Sequence, residues 1–170
     1  VYSKEEMLQI KQICTEHNLN LHIDGARFIL AAQKLNLSFK QIIDYSGADI
    51  ISFGGTKNGL LFGEAVIITN PEFKNNFKYF RKQFMQLPSK MRFLAAQFDY
   101  FLESNLWQDI AKKEIELAIY LENKLKEIKE INILYPVDAN SVFITLPKNI
   151  SKALKNKTFF YIWDENIWSA

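Results

Sequence analysis

The stretch Asp49 to Gly63 reads DIISFGGTKNGLLFG, and the rest of the chain is organised around it. An apolar run (Ile50, Ile51, Phe53) stops at the paired glycines Gly54-Gly55, and Thr56-Lys57 and Asn58-Gly59 follow at once. All six glycines of the 170 residues lie between Gly25 and Gly63. Glycine serves where φ is positive or where something must come close to the main chain, so unusual backbone is confined to one region. A strand that ends on two glycines and then presents a lysine aims an amine beyond the strand end. A loop lysine is ordinarily a solvated charge; the sequence upstream supplies this one with a counterpart.

Leu21-His22-Ile23-Asp24 reads as a short strand ending on a carboxylate, with His22 expected as a hydrogen-bonded core histidine. Gly25-Ala26-Arg27 follows. Helical runs at Phe28 to Leu35 and about Ser38 to Tyr45 then lead into a second strand, Asp49 to Phe53. A crossover of that length makes the two strands parallel and the connection right-handed. Parallel strands put their C-terminal ends on one edge of the sheet, where open α/β sheets bind ligands. Asp24 and Lys57, 33 positions apart, are therefore expected at one crevice.

Upstream, Ser3 to His17 predicts a helix opened by a Ser3–Glu6 capping box. In it Cys14 is expected as a small core residue. Downstream, Glu64 to Thr69 predicts a buried strand, and its short link favours an antiparallel return. Phe73 to Phe84 predicts a helix whose stripe Phe73, Phe77, Phe80, Phe84 belongs to a core or an interface. Ser89, a candidate cap, opens a long helical stretch to about Glu130, with Asn105 the expected break. Strands at Ile131 to Tyr135 and Val142 to Leu146, a helix at Ile150 to Leu154 and a last strand at Thr158 to Trp163 read as a separate α+β layer. The fold class is α/β. A large domain over 1–105 has a mostly parallel sheet flanked by helices, and a small C-terminal α+β domain spans 106–170, with a soft boundary near 105–110.

Composition narrows the chemistry. Hydrophobic residues make up 48% of the chain, enough for a core, and the net charge of +2 is small and dispersed. With three arginines (Arg27, Arg81, Arg92) and no basic stripe, nucleic acid is not an expected partner. One cysteine, Cys14, excludes an intrachain disulfide. His17 and His22 are the only histidines, which disfavours a zinc site or a Ser/His/Asp triad, and no metal is expected. No apolar run approaches a membrane span, and the opening VYSKEEM does not read as a secretory signal. The expectation is a soluble cytoplasmic protein. GGTKNG is not a phosphate-binding P-loop, because Thr precedes Lys and the glycine spacing differs.

An aspartate and a lysine at a glycine-rich crevice suit pyridoxal phosphate. A lysine amine forms a Schiff base with the cofactor aldehyde. An aspartate facing the pyridine nitrogen keeps it protonated, so the ring draws electrons from the substrate α-carbon. Ala26 is small enough for a flat ring to lie against, and Arg27 carries a planar fork suited to a carboxylate.

His22-Ile23-Asp24-Gly25-Ala26-Arg27 followed by Ser52-Phe53-Gly54-Gly55-Thr56-Lys57-Asn58-Gly59 resembles the threonine aldolase and β-eliminating lyase family of fold-type-I pyridoxal phosphate enzymes. Arg81-Lys82 and Ser89-Lys90-Met91-Arg92 through Gln97 are also similar to that family. The resemblance runs from Val1 to about Trp163. It implies that Lys57 is the Schiff-base lysine, Asp24 the pyridinium partner, Ala26 a ring contact and Arg27 a ligand for the substrate carboxylate. It also implies that Thr56 meets the cofactor phosphate and that Arg92 reaches a phosphate or subunit contact. The implied reaction is retro-aldol cleavage of a β-hydroxy-α-amino acid such as threonine to glycine and an aldehyde, by a homodimer or homotetramer. Family members are about twice this length, and the part preceding Val1 in them supplies a phosphate loop and a ring-stacking histidine. They also carry an arginine late in the chain, whereas none follows Arg92 here. The chain therefore reads as an incomplete aldolase, inactive by itself. Two alternatives are a non-catalytic remnant acting as an interaction domain and another fold-type-I enzyme such as an aminotransferase.

Overall fold

A computed structural model of the chain describes residues 1–164; residues 165–170 of the expected C-terminal domain lie outside them. Two compact units divide the chain, Val1–Lys112 and a second beginning at Lys113, so the division falls inside a helix.

The first unit opens with α1 (Lys4–Glu16), whose N-terminus is closed by the reciprocal Ser3–Glu6 box. Strand β1 (His22–Gly25) is followed by α2 (Phe28–Leu35) and α3 (Phe39–Ser46), then β2 (Ile50–Gly54). A second reciprocal box, Ser38 with Gln41, starts α3. Asn36, in the left-handed conformation, ends α2. Strands β1 and β2 are parallel, with Asp24 opposite Ser52 and Gly25 opposite Phe53. Strand β3 (Glu64–Ile68) returns antiparallel to β2, giving the order β1-β2-β3.

Side chains alternate across a strand, and the two faces of this sheet differ in kind. Ile51 and Phe53 are buried with the α2 residues Phe28, Ile29 and Leu30. Phe28, Phe39 and Phe53 form a ring cluster with centroids 5.4–5.9 Å apart, which Trp107 extends at 4.5 Å from Phe39. Such tilted and edge contacts add to the area buried. The other face carries His22, Asp24, Ser52 and Glu64, of which only Ser52 is partly covered. His22 is thus an exposed residue and not the core histidine expected; its Nε2 sits 2.9 Å from Ser52 Oγ. The cause is parity, because His22 shares a face with Asp24 while Ile23 and Gly25 turn inward.

Asp49 ties the opposite end of the sheet. Its Oδ2 accepts the Leu21 amide at 2.7 Å and its Oδ1 accepts Asn70 Nδ2 at 2.8 Å, so one carboxylate joins the entry of β1 to the exit of β3.

A turn of 3-10 helix at Pro71–Phe73 leads into α4 (Lys74–Gln83), and α5 (Arg92–Glu103) follows. Ser89 does not cap α5: Met91 occupies that place with no side-chain bond, and Lys90 interrupts the helical path at φ 60°. The aromatic stripe is not core. Phe73 and Phe77 are half-buried, while Phe80 and Phe84 are 52% and 65% exposed. Asn105, at φ 57°, separates α5 from α6 (Leu106–Lys126), as its expected role as a break requires.

In the second unit Ile115 and Ala118 of α6 are buried, as are Val137, Leu146 and Ser151. Strands β4 (Asn132–Ile133) and β5 (Ile144–Thr145) pair antiparallel and are shorter than the apolar runs containing them. Helix α7 (Lys148–Lys155) completes this unit among the described residues. Thr158 to Trp163 is not a strand, contrary to expectation. Phe159, Tyr161 and Trp163 alternate outward with half-buried Phe160 and Ile162, so the period of two is present without a ladder beside it. Trp163 instead stacks edge-on against Phe143 at 5.6 Å.

Candidate active site

Strands β1 and β2 end side by side. Asp24 lies on the open face at the end of β1, its Oδ1 accepting the Ala26 amide at 3.1 Å in a local turn. No hydrogen bond among the described residues engages its other oxygen. Past Gly54 the chain turns through a 3-10 segment, Thr56–Asn58, and closes at Gly59 with φ +102°. Lys57 is exposed there, and no ion pair or hydrogen bond among the described residues occupies its Nζ. Arg27, three residues past Asp24, is exposed and equally uncommitted.

The two strand ends are in van der Waals contact. A Cβ built on Gly54 would collide with the Ala26 carbonyl oxygen, so glycine is what lets β2 end against residue 26. Asn58 makes the join. It is wholly buried, and its Nδ2 donates to Ala26 O at 3.1 Å and to Gly54 O at 2.7 Å. Its Oδ1 is buried with no hydrogen-bond partner among the described residues, a cost of about 1–3 kcal/mol.

The outer side of the turn is held by β3. Glu64 accepts from the Gly55 amide (3.0 Å) and the Thr56 amide (3.4 Å), while Thr56 Oγ1 accepts from the Gly63 amide at 3.0 Å. Helix α5 contributes Gln97, whose Oε1 accepts the Leu61 amide at 2.9 Å. Arg92 sits at the start of that helix with its guanidinium 5.3 Å over the Phe93 ring. The structure thus gathers Asp24, Ala26, Arg27, Thr56 and Lys57 at the strand ends, and Arg92 lies five residues along α5 from the Gln97 contact.

Sequence reasoning passed over Asn58, Glu64 and Asp49. Asn58 stands in an Asn-Gly pair, which is ordinarily a turn signal. Its partner Ala26 is 32 positions away, a contact that only the folded crossover creates. Glu64 reads as the solvent-facing start of a strand, and nothing local marks a carboxylate that turns back onto amides.

A planar cofactor bearing a phosphate and an aldehyde fits these residues. An uncommitted amine (Lys57), a carboxylate with an open oxygen (Asp24) and a small residue (Ala26) lie on the two segments that Asn58 joins, at strand ends packed too closely for a side chain at position 54.

A mixed α/β sheet with parallel β1 and β2 gives the fold class, and comparison narrows it. The chain belongs to the beta-eliminating lyase family, whose model matches residues 1–149. A low specificity L-threonine aldolase from Pseudomonas sp. (strain NCIMB 10558) is 38% identical over 157 residues, covering 92% of this chain and 45% of that protein. Its counterpart from Saccharomyces cerevisiae is 33% identical over 151 residues, with 86% and 37% covered. The solved threonine aldolase of Leishmania major superimposes with a TM-score of 0.87 at 28% identity, covering 99% of this chain and 49% of that one. The fold is that of the fold-type-I threonine aldolases, and the chain spans less than half the length of these relatives.

Proposed function

We propose that this chain is the lysine-bearing part of a pyridoxal phosphate-dependent lyase that cleaves a β-hydroxy-α-amino acid, threonine or allo-threonine, to glycine and an aldehyde. The observation that supports the reading is that the segments carrying Asp24 and Lys57 follow adjacent parallel strands and are joined through Asn58. Bound pyridoxal phosphate supplies an electron sink for the bond broken at the substrate α-carbon.

Each residue has a task set by its position. Lys57 would hold the cofactor through its Nζ amine, and that amine could otherwise carry a proton. Asp24 would supply the full negative charge that keeps the pyridine nitrogen protonated. Ala26 leaves room for the ring. The Arg27 fork orients the substrate carboxylate by paired charge-assisted bonds. Thr56 and Arg92 are assigned to the cofactor phosphate, Thr56 through the hydroxyl that also accepts from Gly63.

The active form proposed is a homodimer or homotetramer in the cytoplasm, acting on a small amino acid, with the cofactor-binding large domain over 1–105 and the small domain over 106–170. No helix of the described residues is long and apolar enough to cross a membrane. The one cysteine, Cys14, is unpaired, which suits a reducing compartment.

The reading is tested by incubating the protein with pyridoxal phosphate, reducing with borohydride and mapping the labelled peptides. Enrichment at Lys57 over the other lysines is the expected result. Label spread evenly over all of them would remove the assignment.

A further inference from the structure

We propose that Asn58 is the positioning residue of this site: its amide sets where Lys57 stands relative to Asp24 and Arg27. The inference rests on the assignment of Lys57 to the cofactor and deepens it.

Both groups within reach of Asn58 Nδ2 are backbone carbonyls, which can only accept, so the orientation of the amide is dictated and Oδ1 is turned away. One carbonyl belongs to Gly54, the last residue of β2, and the other to Ala26, the residue between the Asp24 turn and Arg27. Asn58 thus spans the two chain segments that carry every reactive group of the crevice. Backbone bonds cannot do this. The register of β1 and β2 ends at Gly25 opposite Phe53, and while Asp24 lies within it, Ala26, Arg27 and the Thr56–Asn58 turn lie past that point.

The turn is tied from its other side as well. Asn58 N donates to Gly55 O at 2.9 Å, and Glu64 holds the Gly55 and Thr56 amides. These bonds fix Lys57 to β2 and β3. None reaches β1, so among the described residues the Asn58 amide alone, of the hydrogen bonds made by the turn, links Lys57 to the Asp24–Arg27 segment. No other side chain of similar size replaces it. Asp would set a carboxylate against two carbonyl oxygens, and Leu would leave both carbonyls without a donor. The unpaired Oδ1 accords with a group kept for its two N–H bonds, at the expense of its third.

The test compares the parent with Asn58→Leu, which keeps the volume, Asn58→Ser, which keeps one short donor, and Ser38→Ala, which loosens α3 away from the site. Folding is checked by circular dichroism and thermal melting. Two quantities are then read in every folded variant: amide exchange of the segments around 24–28 and 54–60 without cofactor, and the share of borohydride-trapped pyridoxal phosphate on Lys57. Both Asn58 variants should exchange about tenfold faster in the two segments, the order expected for the loss of one or two hydrogen bonds of ordinary net strength. Their Lys57 share should fall towards that of the other lysines. Ser38→Ala should leave both readings at the parent level. A folded Asn58→Leu or Asn58→Ser protein with parent-like exchange and a parent-like Lys57 share would overturn the inference. If the parent itself shows no preference for Lys57 yet the Asn58 variants alone loosen the two segments, the cofactor assignment falls and the positional link between the strand ends stands.

Discussion

Asp24 and Asp49 stand at opposite ends of the same short sheet and are built for different work. Asp49 is half-buried and spends both oxygens on Leu21 and Asn70. Asp24 is exposed and spends one oxygen on a bond that an asparagine carbonyl reproduces. Asp49→Ala should therefore lower stability by about 1.5–3 kcal/mol, the worth of hydrogen bonds to a charged group. Asp24→Asn should stay within about 0.5 kcal/mol of the parent, as surface changes do, yet weaken pyridoxal phosphate binding. Urea unfolding and cofactor titration on both proteins separate the two roles; equal cofactor affinity in parent and Asp24→Asn would make Asp24 a turn residue only. The sequence exposed Asp24 and Lys57 because strand ends and crossover length are local patterns. It hid Asn58 and Asp49, whose partners are backbone groups brought near by folding.

At the scale of elements, the two capping boxes form a matched pair with different electrostatics. The box of α1 uses a carboxylate. The Ser3 amide, and then the Ser3 hydroxyl, hold the Glu6 carboxyl below its ordinary value. A lowered folded-state pKa adds stability above the ordinary glutamate range, and that stability is lost as pH falls through the lowered value. The advantage of the parent over Glu6→Gln should therefore narrow on acidification below the glutamate range. The box of α3 uses neutral Gln41, so Ser38→Ala should cost about 1 kcal/mol at neutral and acid pH alike. Urea titrations at both pH values check the contrast. Elements from α1 to β3 were legible because caps, periodicity and glycine breaks agree there, whereas the Ser89 cap expected for α5 is not used. The segment from Thr158 to Trp163 was misread because alternation reports a strand's faces and says nothing of whether another strand lies alongside.

Across the whole molecule, the first unit leaves much apolar surface open. Phe80, Phe84, Met85, Leu87 and Phe93 are 47–87% exposed, and β1 is an edge of the sheet. Exposed apolar groups of this density and unpaired strand edges favour association. Sedimentation velocity over a hundredfold range of concentration should show the chain passing from smaller to larger species; a single concentration-independent monomer would contradict this. The phenylalanines were read as core or interface from spacing alone. Spacing gives the face they share and says nothing of what covers it.

The contact between Gly54 and the Ala26 carbonyl constrains how this sequence can change over time. Every amino acid one nucleotide away from a glycine codon carries a Cβ, and the space for it at position 54 is already filled by main chain, which no side-chain rearrangement can vacate. Gly63 is under a different restriction: a Cβ there would meet Phe98 at an ordinary 3.6 Å, and only its φ of +128° resists substitution. A lineage can thus leave glycine at 63 through residues that tolerate positive φ. At 54 it can do so only if the backbone around Ala26 and Arg27 shifts in the same step, so the two halves of the crevice are obliged to evolve together.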